Sequence, residues 1–186
     1  MRNKKLHTTL LALLLVFLPP YFLVFTDEGN RVTDNAVLWL FGQEDLNLNL
    51  KEADTGFTEA HIRQAFSSLE WECGAVQSSF GPYACNAVIG SFNDLPARHV
   101  TMFFANDHLK AIQVSYREQY HDALLQHLVD TLGRPENAAP ALNATPDADQ
   151  VLQWNTGKGL VVLKKTIRES EQPALLWLGS AQLNPA

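Results

Sequence analysis

The two cysteines of this 186-residue chain, Cys73 and Cys85, are the residues with the greatest potential for chemistry. Eleven residues separate them, whereas redox-active dithiols usually use a C-x-x-C spacing at the start of a helix. A structural zinc site needs four ligands, and no histidine pair lies nearby in the sequence to complete one. The even count favours a disulfide between Cys73 and Cys85 that ties the end of a helix to the start of a strand. A redox-labile bond and a metal site are the alternatives.

The six histidines are the next candidates for catalysis or metal binding. His121 and His127 lie six residues apart on one predicted helix, about 240° around its axis, so they cannot bind one metal ion from the same face. His121 falls near the apolar stripe of that helix, which predicts a hydrogen-bonded, partly buried side chain. Ser78 and Ser79 stand in QSSFG, which is not the G-x-S-x-G nucleophile elbow. The sequence therefore predicts no catalytic residue, no metal site and no cofactor.

Phe80 and Tyr83 lie between the cysteines, in a segment that Gly74, Gly81 and Pro82 mark as rich in turns. A loop closed by a disulfide loses less conformational entropy when a partner binds it. Aromatic side chains are enriched among the residues that dominate binding energy. We therefore expect Phe80 and Tyr83 to form a protein-binding surface, with packing over the sheet edge as the alternative.

The N-terminus begins with a basic stretch and continues with an apolar one. Residues 10–25 hold no charge, and with Thr8 and Thr9 the uncharged stretch reaches 18 residues, ~27 Å as a helix and about the thickness of the hydrocarbon core. No small-residue cleavage site follows, which favours an uncleaved signal anchor at residues 8–25 over a cleaved signal peptide. The basic start then places residues 1–7 in the cytoplasm. We expect a single-pass protein of the inner (plasma) membrane with a periplasmic C-terminal domain.

The charge of the chain is unevenly distributed. Residues 1–25 contain Arg2, Lys4 and Lys5 and no acid, so the remainder holds 11 of the 14 basic residues and all 20 acidic ones. Nucleic-acid binding needs a basic surface that replaces the counterions of the phosphates. We therefore expect no nucleic-acid partner.

The remainder of the sequence predicts a connector at residues 26–56 and an α+β domain at residues 57–183. Apolar residues at helical spacing predict helices over residues 58–69 and 118–132, and Thr58 is a candidate N-cap. Period-two alternation and turn residues predict six strands. They cover residues 85–92, 98–105, 109–116, 151–154, 159–167 and 173–179.

The order of these elements is helix, three strands, helix, three strands. It predicts an antiparallel-sheet domain built as a duplicated helix plus three-stranded meander, αβββ-αβββ, with both helices on one face. The order resembles small envelope-protein modules such as the BamE-like and β-lactamase-inhibitor-like folds. The resemblance is one of topology, with no shared motif to carry over.

The anchor, the disulfide-closed loop and its aromatic residues together lead to one expectation about function. We expect a single-pass membrane protein whose periplasmic domain binds a protein partner in the membrane or envelope, as an accessory or assembly subunit of an envelope complex. Two alternatives remain: an extracytoplasmic small-ligand-binding or sensory domain, and a hydrolase with an unrecognised site.

Overall fold

The computed structural model describes residues 33, 37, 43–137, 150–168 and 171–180. The predicted cytoplasmic residues 1–7 and the predicted anchor at residues 8–25 lie outside this part of the chain. Within the described part, no helix combines the length and apolar character needed to span a membrane. Residues 43–186 form one compact unit, and the elements below belong to it.

The described residues form ten strands, two α-helices and one short 3-10 helix. The helices are α1 (Glu59–Ala65) and α2 (His121–Leu132), and the 3-10 helix (Glu118–Tyr120) leads directly into α2. The strands are β1 (Asp45–Leu46), β2 (Glu72–Ala75), β3 (Tyr83–Val88), β4 (Ser91–Phe92), β5 (Leu95–Ala105), β6 (His108–Tyr116), β7 (Glu136–Asn137), β8 (Val151–Asn155), β9 (Gly159–Lys164) and β10 (Ala174–Gly179).

Eight of these strands form an antiparallel sheet in the order β2-β3-β5-β6-β10-β9-β8-β7. β4 pairs with the start of β5, and β1 pairs with β4 in parallel. Each helix is therefore followed by strands that run from one edge of the sheet to its centre. The two sets meet where β6 pairs with β10, with Ile112 opposite Trp177.

Both helices pack on the same face of the sheet, because Ile62 of α1 and Leu124 and Leu128 of α2 belong to one buried cluster. Alternate residues of the strands complete this core, as expected for a sheet with one covered face. They include Cys85, Ala87, Val100, Met102, Phe104, Ile112, Val114, Tyr116, Leu152, Trp154, Val161, Leu163, Leu175 and Trp177. The core therefore lies between the sheet and the two helices.

The α+β prediction is confirmed at the level of a sheet-dominated domain with two helices in its described part. The structure places a strand within or across each of the six predicted segments. Thr58 caps α1, since its side chain accepts a hydrogen bond from the backbone N–H of His61. α1 ends at Ala65 rather than Leu69, because Phe66 leaves the helical conformation (φ −123°, ψ 55°).

Three short strands have no counterpart in the sequence prediction: β1, β2 and β7. The predicted strand at residues 85–92 is divided between β3 and β4. Of the three additional strands, β2 and β7 form the two edges of the large sheet. Each helix is thus followed by an additional strand that the predicted three-stranded meander lacks.

The described end of the predicted connector contributes to the core of the domain. Leu46, Leu48, Leu50 and Ala53, within the predicted connector at residues 26–56, are buried in the core. The side-chain amide of Asn93 holds this segment, accepting from Leu48 N (2.9 Å) and donating to Leu48 O (3.1 Å). The domain therefore includes residues that precede 57.

Candidate interaction surface

The predicted disulfide is present, and it links neighbouring strands. Cys73 of β2 and Cys85 of β3 are direct partners in the antiparallel register, with Cα atoms 4.0 Å apart. The prediction that the bond ties a helix end to a strand is wrong, because Cys73 itself lies in an edge strand. Cys85 is fully buried and Cys73 is partly buried. An external thiol can therefore approach only one side of this bond, which suits a structural role.

Three polar side chains surround the disulfide on the helix side of the sheet. Arg63 of α1 donates to Cys73 Sγ (3.1 Å) and pairs with Glu59 Oε1 (2.8 Å). The hydroxyl of Tyr83 donates to the other carboxylate oxygen, Glu59 Oε2 (2.9 Å). The hydrogen bond from Arg63, together with that from Tyr83, lowers the pKa of Glu59. The hydrogen bond to Glu59 raises the pKa of Tyr83. These contacts join α1 to β2 and β3.

The same place holds a group of metal-ligating residue types. One ligand atom each from Glu59, Cys73 and Cys85 lie within 4.8 Å of one another. Both sulfur atoms are bonded to each other, so they are not thiolates that could coordinate a metal ion. Both oxygens of Glu59 accept hydrogen bonds from Arg63 and Tyr83. The cluster is therefore a structural junction in this oxidised form.

The loop between β2 and β3 places Phe80 on the face opposite the helices. Phe80 packs against Phe103, with ring centroids 5.3 Å apart. The loop passes close to β5 at Gly81, where a Cβ atom would lie 2.5 Å from the carbonyl oxygen of Phe104. Only glycine avoids this overlap, so Gly81 allows the loop to lie against β5.

Phe80 and Tyr83 consequently do not share a surface. Tyr83 contacts the large core and Glu59 on the helix face, while Phe80 contacts a small cluster of Ala84, Phe103 and Ala111 on the other face. The alternation of β3 explains the position of Tyr83, since it lies two residues before Cys85 and so faces the same side. The two aromatic side chains therefore make separate contacts, and a role of Phe80 and Tyr83 in binding a partner stays a prediction.

The face opposite the helices, here called the open face, is covered by no helix of the described residues. The strand register arranges its side chains in rows that cross the sheet. One row is apolar: Ala84, Phe103, Ala111, Leu178 and Leu160. The next row is polar on one half and apolar on the other: Asn86, Thr101, Gln113, Leu176, Val162 and Gln153. Leu160, Val162, Leu176 and Leu178 are only partly buried, unlike their neighbours on the helix face.

A groove lies at the β8-β9-β10 end of the open face. It has a volume of about 510 Å³. Its lining is mainly aliphatic and comes from the three strands and the β9–β10 loop: Val151, Val162, Ile167, Pro173, Ala174 and Leu176. Lys164 and Glu171 also line the groove, and their charged groups lie 2.7 Å apart.

His121 and Tyr116 form a buried polar pair on the helix side of the sheet. The Tyr116 hydroxyl lies 2.8 Å from His121 Nδ1, and His121 Nε2 lies 3.1 Å from the carbonyl oxygen of Lys165. A tautomer that accepts from Tyr116 at Nδ1 and donates to Lys165 O from Nε2 satisfies both ring nitrogens. Burial raises the pKa of Tyr116, which keeps its hydroxyl a donor. The predicted hydrogen bonding of His121 is confirmed, and its side chain is buried rather than partly buried. Its contacts connect α2 to β6 and to Lys165, which follows β9.

Sequence reasoning missed the open face, although part of the signal was present. The apolar alternation in β9 and β10 is incomplete, because both faces of these strands carry aliphatic residues. A strand with aliphatic residues on both faces is typical of a sheet covered on both sides. The sequence did not indicate the groove, because its lining brings Ile167 and Pro173, between β9 and β10, next to residues of three strands.

Comparisons with known proteins give this chain no relative. No family model matches it, and neither the curated proteins nor the solved structures contain a match. The resemblance of its element order to the BamE-like and β-lactamase-inhibitor-like folds therefore stays an expectation.

Proposed function

We propose that this chain is a single-pass membrane protein whose extracytoplasmic domain binds a protein partner through the open face of its sheet. It would act as an accessory or assembly subunit of an envelope complex in the inner membrane. The observation that carries this proposal is the partly buried aliphatic set Leu160, Val162, Leu176 and Leu178 on a face that no described helix covers.

Apolar side chains on this face are costly to expose to water. Contiguous apolar side chains on a protein surface are typical of interaction sites. Burial of apolar surface contributes about 25 cal/mol per Å², so a partner that covers Leu160 and Leu178 gains free energy from their burial. The polar row that contains Thr101 and Gln113 lies beside these residues and offers hydrogen bonds that fix the orientation of the partner.

Two further features support the proposed location of the chain in the inner membrane. Residues 8–25 have the length and composition of a signal anchor. The disulfide between Cys73 and Cys85 is of the kind that persists in oxidising compartments outside the cytoplasm. Together they support an inner-membrane protein with its N-terminus in the cytoplasm and its disulfide-bonded domain outside.

Site-directed photo-crosslinking in the native membrane tests this proposal. A photo-reactive residue at Gln113, on the open face, should form an adduct of reproducible mass with a second protein. The matched control is the same residue at Ala60, an exposed position of α1 on the opposite side of the domain. Equal adducts at both positions, or none at Gln113, would overturn the assignment of the open face.

A further inference from the structure

The groove at the end of the open face has the dimensions of a small-molecule site. Its volume of about 510 Å³ lies within the range of roughly 300–1,000 Å³ typical of ligand pockets. Val162 and Leu176 lie on its floor, and Ile167 and Pro173 of the β9–β10 loop line it as well. These side chains are aliphatic, so the groove suits a flexible hydrocarbon better than a flat aromatic ring or a sugar.

Charged groups lie at one place in this otherwise apolar lining. Lys164 Nζ contacts Glu171 Oε2 at 2.7 Å, and the two side chains retain 42% and 29% of their exposure. The hydrogen bond from Lys164 lowers the pKa of Glu171, and the nearby charge of Arg168 lowers it further. The groove therefore has one position where a carboxylate is already stabilised by two cationic side chains.

The carboxylate in that position belongs to the end of a rotatable glutamate side chain rather than to the sheet. The backbone N–H of Glu171 donates to the carbonyl oxygen of Arg168 (2.9 Å). A rotation of the Glu171 side chain would release Lys164 without any change in the strands. An external carboxylate attached to a hydrocarbon could then take the same place.

We propose that this groove binds an aliphatic carboxylate of medium chain length, with the hydrocarbon against Val162 and Leu176 and the carboxylate on Lys164 in place of Glu171. The binding is noncovalent and goes beyond the proposed protein-binding function. The groove shares Val162 and Leu176 with the aliphatic set that carries the protein-binding proposal, and Leu176 is the register partner of Gln113. The two proposals are therefore separated by their readouts, since octanoate is titrated without a partner protein.

Octanoate and octanol are suitable probes, because they share a hydrocarbon and differ in the charged group. The full-length chain is held in lipid nanodiscs, and each probe is titrated calorimetrically with empty nanodiscs as the blank. Octanoate should give a saturable isotherm with one site per chain. Val162→Asp, which puts a negative charge on the groove floor, should remove that isotherm.

Two substitutions at the charged pair separate carboxylate recognition from simple apolar partition. Lys164→Gln should weaken octanoate binding about threefold to tenfold, the size expected for a partly exposed charge-assisted contact. Glu171→Gln should strengthen octanoate binding, because it removes the carboxylate that competes for Lys164. Neither substitution should change the response to octanol.

Two results of these titrations would overturn the proposal. One is the absence of a saturable octanoate isotherm above the empty-nanodisc blank. Another is weaker octanoate binding after Glu171→Gln, since a competing carboxylate cannot also be a ligand contact. Thermal unfolding of each variant checks that its fold is retained. A failure here leaves the crosslinking result at Gln113 untouched, so the two proposals fail separately.

Discussion

Phe80 and Tyr83 lie on opposite faces of the sheet, although only two residues separate them in a disulfide-closed loop. Phe80 packs on Phe103 of the open face, and the Tyr83 hydroxyl bonds to Glu59 of α1. The segment from Phe80 to Tyr83 therefore contacts both faces of the sheet. The disulfide beside it links the edge strand β2 to β3.

Replacement of both cysteines, Cys73→Ala with Cys85→Ala, should lower the free energy of unfolding by roughly 3 kcal/mol, as loop-closure entropy predicts for a short loop. Denaturant unfolding followed by tryptophan fluorescence measures this change, with the wild-type chain and its chemically reduced form side by side. The reduced wild type should match the double variant. An unchanged midpoint in both would show that β2 is held without the disulfide.

Two glycines near this loop should respond differently to the same substitution. Gly81→Ala places a Cβ atom 2.5 Å from Phe104 O and should destabilise the domain by about 1–3 kcal/mol. Gly74→Ala is the matched control, because no atom lies within 4 Å of the position that its Cβ would take. It should be neutral or stabilising by up to about 1 kcal/mol. Equal unfolding midpoints for the two variants would contradict the close approach of the loop to β5.

The hydroxyls of Tyr116 and Tyr83 differ in burial and so in the expected cost of their removal. Tyr116→Phe leaves His121 Nδ1 without its partner in the core and should cost about 1–3 kcal/mol. Tyr83→Phe removes a bond to the partly exposed Glu59 and should cost less than about 1 kcal/mol. Thermal or denaturant unfolding of both variants gives the comparison, and a larger cost at Tyr83 would contradict it.

Glu59 should make the stability of the domain sensitive to acid. Its pKa is lowered in the folded chain by Arg63 and Tyr83, so its contribution is present above the ordinary value of 4.5 and is lost as the pH falls through the folded pKa. Glu59→Gln should therefore be less stable than wild type at pH 7, and the difference should shrink below about pH 4.5. A constant difference at all pH values would contradict the ionised contact.

The parts of this fold that the sequence predicts well are those with a strong local pattern. In β6 the alternation of Ile112, Val114 and Tyr116 with polar residues specifies one buried face, and the structure has that face. β2 has no such pattern, because Gly74 and Cys73 stand in a strand of four residues. Its position depends on pairing with β3, which a local pattern does not contain.

The candidate interaction surface was predictable only in part, because most of its contacts join residues that are far apart in the sequence. The pairing of Cys73 with Cys85 follows from their count, but the opposite orientations of Phe80 and Tyr83 depend on the path of the loop past Gly81. The hydrogen bond between Tyr83 and Glu59 joins residues 24 positions apart and had no signal in the sequence. The open face could be recognised only once the register had placed Leu160 beside Leu178.

The most direct test of the protein-binding function is the native mass of the full-length chain, extracted gently from its own membrane. We expect a reproducible second protein in the wild-type complex and in Ala60→Lys, which adds a charge on the helix side. Leu160→Lys, with the same added charge on the open face, should lose that protein while keeping a normal unfolding midpoint. A wild-type chain that is alone or only self-associated, or a Leu160→Lys variant that retains the second protein, would contradict the account.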